Sequence, residues 1–126
     1  MRTVRLVRAA TARLRAKFTG DAAFAKRVDD AVSTRDLTAA TTLVASVAQV
    51  RPDQVWIGES KKQALGSPIG ATLFRFASNE RGVGPLADRF NPWYVLIVTK
   101  AKAYCVGTSK DECRAALKAA GYTPLN

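Results

Sequence analysis

The 126-residue sequence predicts an α+β fold: three N-terminal helices, a three- or four-stranded antiparallel or mixed sheet, and one C-terminal helix. Three observations predict it. Up to residue 50, apolar side chains recur at the three- and four-residue spacing of a helix. Beyond Pro52 they gather in short runs or alternate, as in strands. Near the end, a capped, Ala-rich segment returns to helical spacing. The length suits one domain, residues 1–126, divided into a helical part at 1–50 and a sheet with the last helix at 51–126. A chain of this size buries roughly two-thirds of its unfolded surface, enough for a core without staples.

In residues 4–18 the helical period places Val4, Val7, Thr11, Leu14 and Phe18 on one sector. Arg5, Arg8 and Arg15 flank that sector on one side, and Arg2, Arg13 and Lys17 lie across from them. Gly20 ends this amphipathic cationic helix. Asp21 is suited to cap a second one, whose apolar row reads Phe24, Val28, Ala31 and Val32. The break Ser33-Thr34-Arg35-Asp36 supplies the cap of a third helix, in which Leu37, Ala40, Val44 and Val47 keep the spacing. Leu43, Ala45 and Ala48 widen that stripe, so the third helix is expected to be the most buried. Pro52 stops the run, because it disfavours helix at Arg51 and has no N–H to donate.

Val55-Trp56-Ile57 reads as a short strand. Residues 72–77 alternate, with Phe74 and Phe76 on one face, and residues 93–99 are apolar on both faces, the pattern of a central strand. Lys100 connects that strand to Ala103-Tyr104-Cys105-Val106, so residues 93–107 form a predicted hairpin. Ser109-Lys110-Asp111-Glu112 matches a capping box, and Cys113, Leu117 and Ala120 line a helix that closes at Gly121. Two long connections, residues 58–70 and 78–92, are read as loops, the kind of segment that often carries function.

The charge is unevenly placed. Residues 1–20 hold six basic side chains and no acid, so they account for +6 of the net +10, and the other 106 residues for +4. Their Arg-rich, acid-free pattern is shared with transit peptides, but it lacks the apolar core of a secretory signal. Such a helix can neutralise phosphates through counterion release. It suits an acidic protein surface equally well, where the charge would steer association. An anionic membrane surface is a weaker fit, since the apolar stripe has no Trp and a single Phe. The leading expectation is a small non-enzymatic nucleic-acid-binding protein, a component of a phage or ribonucleoprotein assembly. Arg2, Arg5, Arg8, Arg13, Arg15 and Lys17 would contact backbone phosphates without reading sequence, supported by Lys61 and Lys62. The alternative is a protein-interaction or structural subunit, such as an inhibitor docking on an acidic partner, with an oligomer compatible with either.

Chemistry-bearing motifs are scarce. The absence of His removes the commonest general base near neutral pH and the commonest metal ligand. No catalytic residue, metal or cofactor is therefore assigned. A His-free nuclease would have to use loop carboxylates such as Glu59 or Glu80. Gly58-Glu59-Ser60-Lys61-Lys62 lacks the GxxxxGK[ST] spacing of a phosphate loop. Gly82-Val83-Gly84-Pro85-Leu86-Ala87 matches GxGxxA by letters, but Pro85 spoils the turn and no helix follows. Trp56, Phe74, Phe76, Trp93, Tyr94 and Tyr104 fall in the predicted strands. An exposed row of such rings, Tyr94 and Tyr104 above all, could stack single-stranded bases, although core packing also accounts for them.

Cys105 and Cys113, eight apart, cannot complete a tetrahedral zinc site without His or further Cys. They are expected to be free buried thiols of a cytoplasmic protein, with a strand-to-helix disulfide as the alternative. The longest charge-free stretch, residues 37–50, is short for a membrane span and suits a buried helix. Residues 104–122, YCVGTSKDECRAALKAAGY, resemble the end of a SPOR-type peptidoglycan-binding repeat. The resemblance implies a glycan-binding strand and helix over those 19 residues, and no family is read for the whole chain.

Overall fold

Side-chain caps and left-handed residues set where the helices begin and end. The structure, a computed structural model, describes residues 2–60, 94–99 and 101–126, with side chains from residue 8 onward. Helix α1 spans Arg2–Gly20, α2 Ala22–Ser33 and α3 Leu37–Ala48. The Asp21 carboxylate accepts from the Phe24 N–H and the Asp36 carboxylate from the Ala39 N–H, so both expected caps are in place. At the end of α2 the Arg35 N–H reaches the Val32 carbonyl and the Asp36 N–H the Ala31 carbonyl. This Schellman closure puts Arg35 at φ 63°. Its guanidinium donates to both carboxylate oxygens of Glu59, at 2.7 and 3.1 Å, and to the Val32 carbonyl.

A 3₁₀ turn at Pro52–Gln54 leads into β1 (Val55–Glu59). Strands β2 (Tyr94–Val98) and β3 (Lys102–Gly107) form the expected hairpin. Helix α4 (Lys110–Ala119) starts at Ser109, whose hydroxyl accepts from the Glu112 N–H. It closes at Gly121, φ 93°, with the Tyr122 N–H on the Leu117 carbonyl and the Gly121 N–H on the Lys118 carbonyl. A last strand, β4 (Thr123–Pro124), completes an antiparallel sheet in the order β2-β3-β1-β4.

Alternation along the strands divides the apolar side chains between two cores. Val55, Ile57, Val95, Ile97, Tyr104 and Val106 face α1, α2 and α3. Trp56, Leu96, Val98, Ala103 and Cys105 face α4, against Cys113, Ala116, Leu117 and Tyr122. The sheet is thus covered on both faces. Helix α3, against α1, α2 and β1, sits at the middle of the first layer. The close fit of α4 and β4 on β1 depends on Gly58: a Cβ there would lie 2.9 Å from the Tyr122 Cβ and 3.1 Å from Leu117.

Several expectations need correction. The strand at 93–99 is expected to be central, but among the described strands β2 lies at one end of the order, and β1 and β3 occupy the middle. Its two apolar faces report helices above and below the sheet and carry no information about its lateral neighbours. Gly58 and Glu59, read as the start of a loop, are the end of β1. Strand β4 was not expected. It is held by the Leu125 N–H on the Ile57 carbonyl and by the Asn126 amide, which accepts from the Ile57 N–H and donates to the Val55 carbonyl. The cysteines are joined as a disulfide between β3 and the first turn of α4, not free. Tyr94 and Tyr104 share no exposed face: Tyr104 is fully buried in the first core, and Tyr94 is half-buried against both. The predicted strand at 72–77, the remainder of the two long loops, and Gly82-Val83-Gly84-Pro85-Leu86-Ala87 lie outside the described residues.

One polar group crosses the first core. The Tyr104 hydroxyl donates to Asp29 on α2. The Thr99 hydroxyl, with a single proton to give, lies 3.1 Å from the Lys102 carbonyl and 3.4 Å from Asp29, so the carbonyl is the better acceptor. Burial pushes the Asp29 carboxyl up, and the Tyr104 bond and the Lys102 charge oppose that only in part. The folded state therefore holds this proton to a higher pH than the unfolded state. The associated stability is fully present below the unfolded value of about 4 and is lost as pH rises through the raised folded value. Asn in place of Asp29 keeps an acceptor for Tyr104 and removes the titration. The stability of Asp29→Asn relative to the native protein is expected to increase between about pH 4 and pH 7 in urea unfolding; a difference independent of pH would contradict the assignment. A second prediction concerns the disulfide, whose eight-residue separation corresponds to about 2.5 kcal/mol of loop-closure entropy. Reducing it in the intact protein is expected to lower the urea-unfolding free energy by about 2–3 kcal/mol.

Candidate basic surface of the first helix

Helix α1 buries Ala10, Thr11, Leu14 and Phe18, the last two in the first core, where the Phe18 ring meets Phe24 edge-on at 5.4 Å and Tyr104 at 5.7 Å. This fixes the rotation of the helix about its axis. The face opposite the core is then set by the sequence: Arg8, Ala12, Arg15, Ala16 and Thr19 are exposed, and Ala9 is half-buried. Small side chains lie between the arginines, so an extended partner can approach the helix backbone closely.

The eight residues singled out from the sequence do not share one environment. Arg8 and Arg15 are exposed. Arg2 and Arg5 belong to the same continuous helix, ahead of the described side chains. Lys61 and Lys62 lie outside the described residues. Arg13 and Lys17 are engaged inside the fold. The Arg13 Nε donates to the Val47 carbonyl at 3.2 Å and its Nη2 to the Ala48 carbonyl at 2.8 Å. Those are two of the carbonyls that the end of α3 leaves without a helical partner, and a cation there also meets the negative end of the helix dipole. Lys17 pairs with Asp21 at 2.8 Å and lies 5.3 Å from the centre of the Phe24 ring. That ammonium, with the Phe24 N–H, holds the Asp21 carboxyl below its ordinary value.

Two cavities lie at opposite ends of α3. The larger, about 760 Å³, is lined by Leu37, Thr38 and Thr41 at the start of α3, by Arg51 to Trp56, and by Thr108, Lys110 and Asn126. Its charges are largely balanced, since Arg51 is paired with Asp53 at 3.0 Å. The smaller, about 550 Å³, lies beside α1 and is lined by Arg13, Ala16, Lys17, Gly20, Asp21 and Val47. Sequence reasoning missed this groove. Its only trace in the sequence was the small residues Ala16 and Gly20, one turn apart on a helix otherwise rich in Arg.

The chain matches no protein-family model, no curated protein and no solved structure. The 19-residue SPOR-type resemblance thus gains no support beyond its own letters. Among the described residues, no cluster of three His, Cys, Asp or Glu side chains could hold a metal ion, and no helix is long and apolar enough to cross a membrane. Glu59, weighed as a nuclease carboxylate, is ion-paired with Arg35, whose guanidinium keeps its carboxyl below the ordinary value.

The two classes of arginine differ in what their removal should do to folding. Arg13→Ala strips the α3 terminus of two charged donors and is expected to cost about 1–2 kcal/mol in urea unfolding. Arg8→Ala is expected to stay within about 0.5 kcal/mol of the native protein. Equal losses at the two positions would overturn this division.

Proposed function

We propose that the protein binds nucleic acid through the outward face of α1, by contacts to backbone phosphates that do not depend on sequence. The observation that carries the reading is the orientation of α1: Leu14 and Phe18 anchor it in the core, so Arg8 and Arg15 face solvent on a helix that contains no acid. Arg2, Arg5, Arg8 and Arg15 form the proposed contact set. Lys61 and Lys62 would be supporting contacts, while Arg13 and Lys17 hold the helix in place. A role within a phage or ribonucleoprotein assembly fits such binding, because positioning a particle component on nucleic acid requires affinity without base readout. Cytoplasmic placement remains part of this reading, but it can no longer draw on free thiols, which the disulfide replaces.

Four phosphate contacts imply that log affinity for a duplex falls with log salt at a slope of about −3.5. Substituting Arg2, Arg5 and Arg8 together by Gln is expected to flatten that slope by about 3 and to leave the fold intact. Fluorescence anisotropy on a labelled 20-base-pair duplex between about 50 and 200 mM salt measures both. Absence of binding at about 50 mM salt would overturn the proposal; an unmodified 260/280 absorbance ratio of the purified protein, with a discrete oligomer by light scattering, would then favour docking on an acidic protein.

A further inference from the structure

We infer that the Cys105–Cys113 disulfide is a redox latch on α4. Oxidised, it keeps the helix seated on the sheet; once it is reduced, α4 opens as a unit while α1, α2 and α3 stay packed. The inference is independent of the nucleic-acid reading above, since it concerns the opposite face of the sheet.

The two layers are separable. Among the described residues no fully buried side chain belongs to both cores, and of the partly buried ones only Tyr94 touches both. Three helices seat the first layer with many large side chains, Leu14, Phe18, Phe24, Val28, Val32 and Val44 among them. The seat of α4 is narrower. The helix buries Cys113, Ala116 and Leu117, of which only Leu117 is large, and Tyr122 follows it into the same core. A ten-residue helix has little stability apart from such packing. Its opening free energy is therefore lower than that of the first layer.

Both cysteines lie in that narrow seat and are fully buried. The disulfide ties β3 to the first turn of α4, which is also held by the Ser109 cap and by the Cys113 N–H on the Ser109 carbonyl. A reductant therefore reaches the sulfurs only when α4 lifts. A thiolate of a dithiol reductant then attacks one sulfur, forming a mixed disulfide and expelling the other sulfur as a thiolate. The second thiol of the reductant displaces the first cysteine. The reductant leaves as a cyclic disulfide, and two electrons and two protons have passed to the cysteine pair. Reseating the helix is now less favourable, because the open chain is no longer tethered across a separation of eight residues. Opening becomes more frequent, and each opening uncovers Trp56, Leu96 and Val98 on the sheet.

The test follows reduction of the folded protein by excess dithiothreitol without denaturant, read by alkylation and mass spectrometry. Leu117→Ala loosens the seat of α4 and is expected to speed reduction about thirtyfold. Leu14→Ala makes the same deletion in the first core, and its rate is expected to stay within about threefold of the native one. Acceleration by Leu14→Ala that matches or exceeds that of Leu117→Ala would show that the sulfurs are reached by global unfolding and would overturn the latch. Acceleration in neither variant would place the attack on a frayed first turn and overturn it as well. Amide exchange of the reduced native protein tests the same claim without any core substitution. The amides of α4 are expected to exchange at least about tenfold faster than the slowest amides of α1, α2 and α3. One opening free energy shared by both layers would overturn the inference.

Discussion

Strands β1 and β3 are buried on both faces, and the described helices are arranged to satisfy that constraint. Each strand sends alternate side chains into two cores. Antiparallel sheets commonly leave one face to water, with polar residues on it. Here neither face can be wet, because Trp56, Leu96 and Cys105 are as apolar in character as Ile57, Ile97 and Val106. Three helices are therefore needed on one side and α4 on the other. The disulfide and the close approach at Gly58 secure the thinner layer, where, among the described residues, one ten-residue helix has to do what α1, α2 and α3 do together.

The same constraint explains how the first layer tolerates polar groups. Asp29 enters it from α2 and finds the Tyr104 hydroxyl, so a carboxyl and a phenol that would each be costly to bury alone satisfy one another. At the edges the pairing is ionic and exposed. Arg35 with Glu59, Lys26 with Asp30 and Arg51 with Asp53 neutralise acids beside cations of the same surface. Pairs of this kind contribute little to stability. Their consequence is electrostatic: each places a cation beside an acid of the same surface, whereas residues 1–20 contain no acid of their own.

Helical spacing and cap chemistry made the α-elements legible in the sequence. Asp21, Asp36, Ser109 and Gly121 each mark a boundary that the structure keeps, because a cap is a local event between residues three or four apart. The hairpin was legible for the same reason. What could not be read was whatever depends on distant partners. An apolar run cannot say whether its strand lies at the middle or the edge of a sheet. Thr123 and Pro124 form a strand only because β1 offers an edge, with Asn126 supplying side-chain amide bonds where backbone bonds would run. The thiols looked free because spacing alone does not bring Cα atoms to 5.6 Å; the turn from β3 into α4 does.

Arg13 shows most clearly where sequence reading of a charged surface stops. In the sequence it is one of six basic residues on the first helix. In the fold it lies on the flank that meets the end of α3, and its guanidinium completes that helix as a capping residue would. A basic helix that must both pack and bind divides its cations between the two tasks, and the division is set by the neighbour each flank happens to face. The flank toward α3 holds Arg13 on the Val47 and Ala48 carbonyls; the flank toward solvent leaves Arg8 and Arg15 exposed.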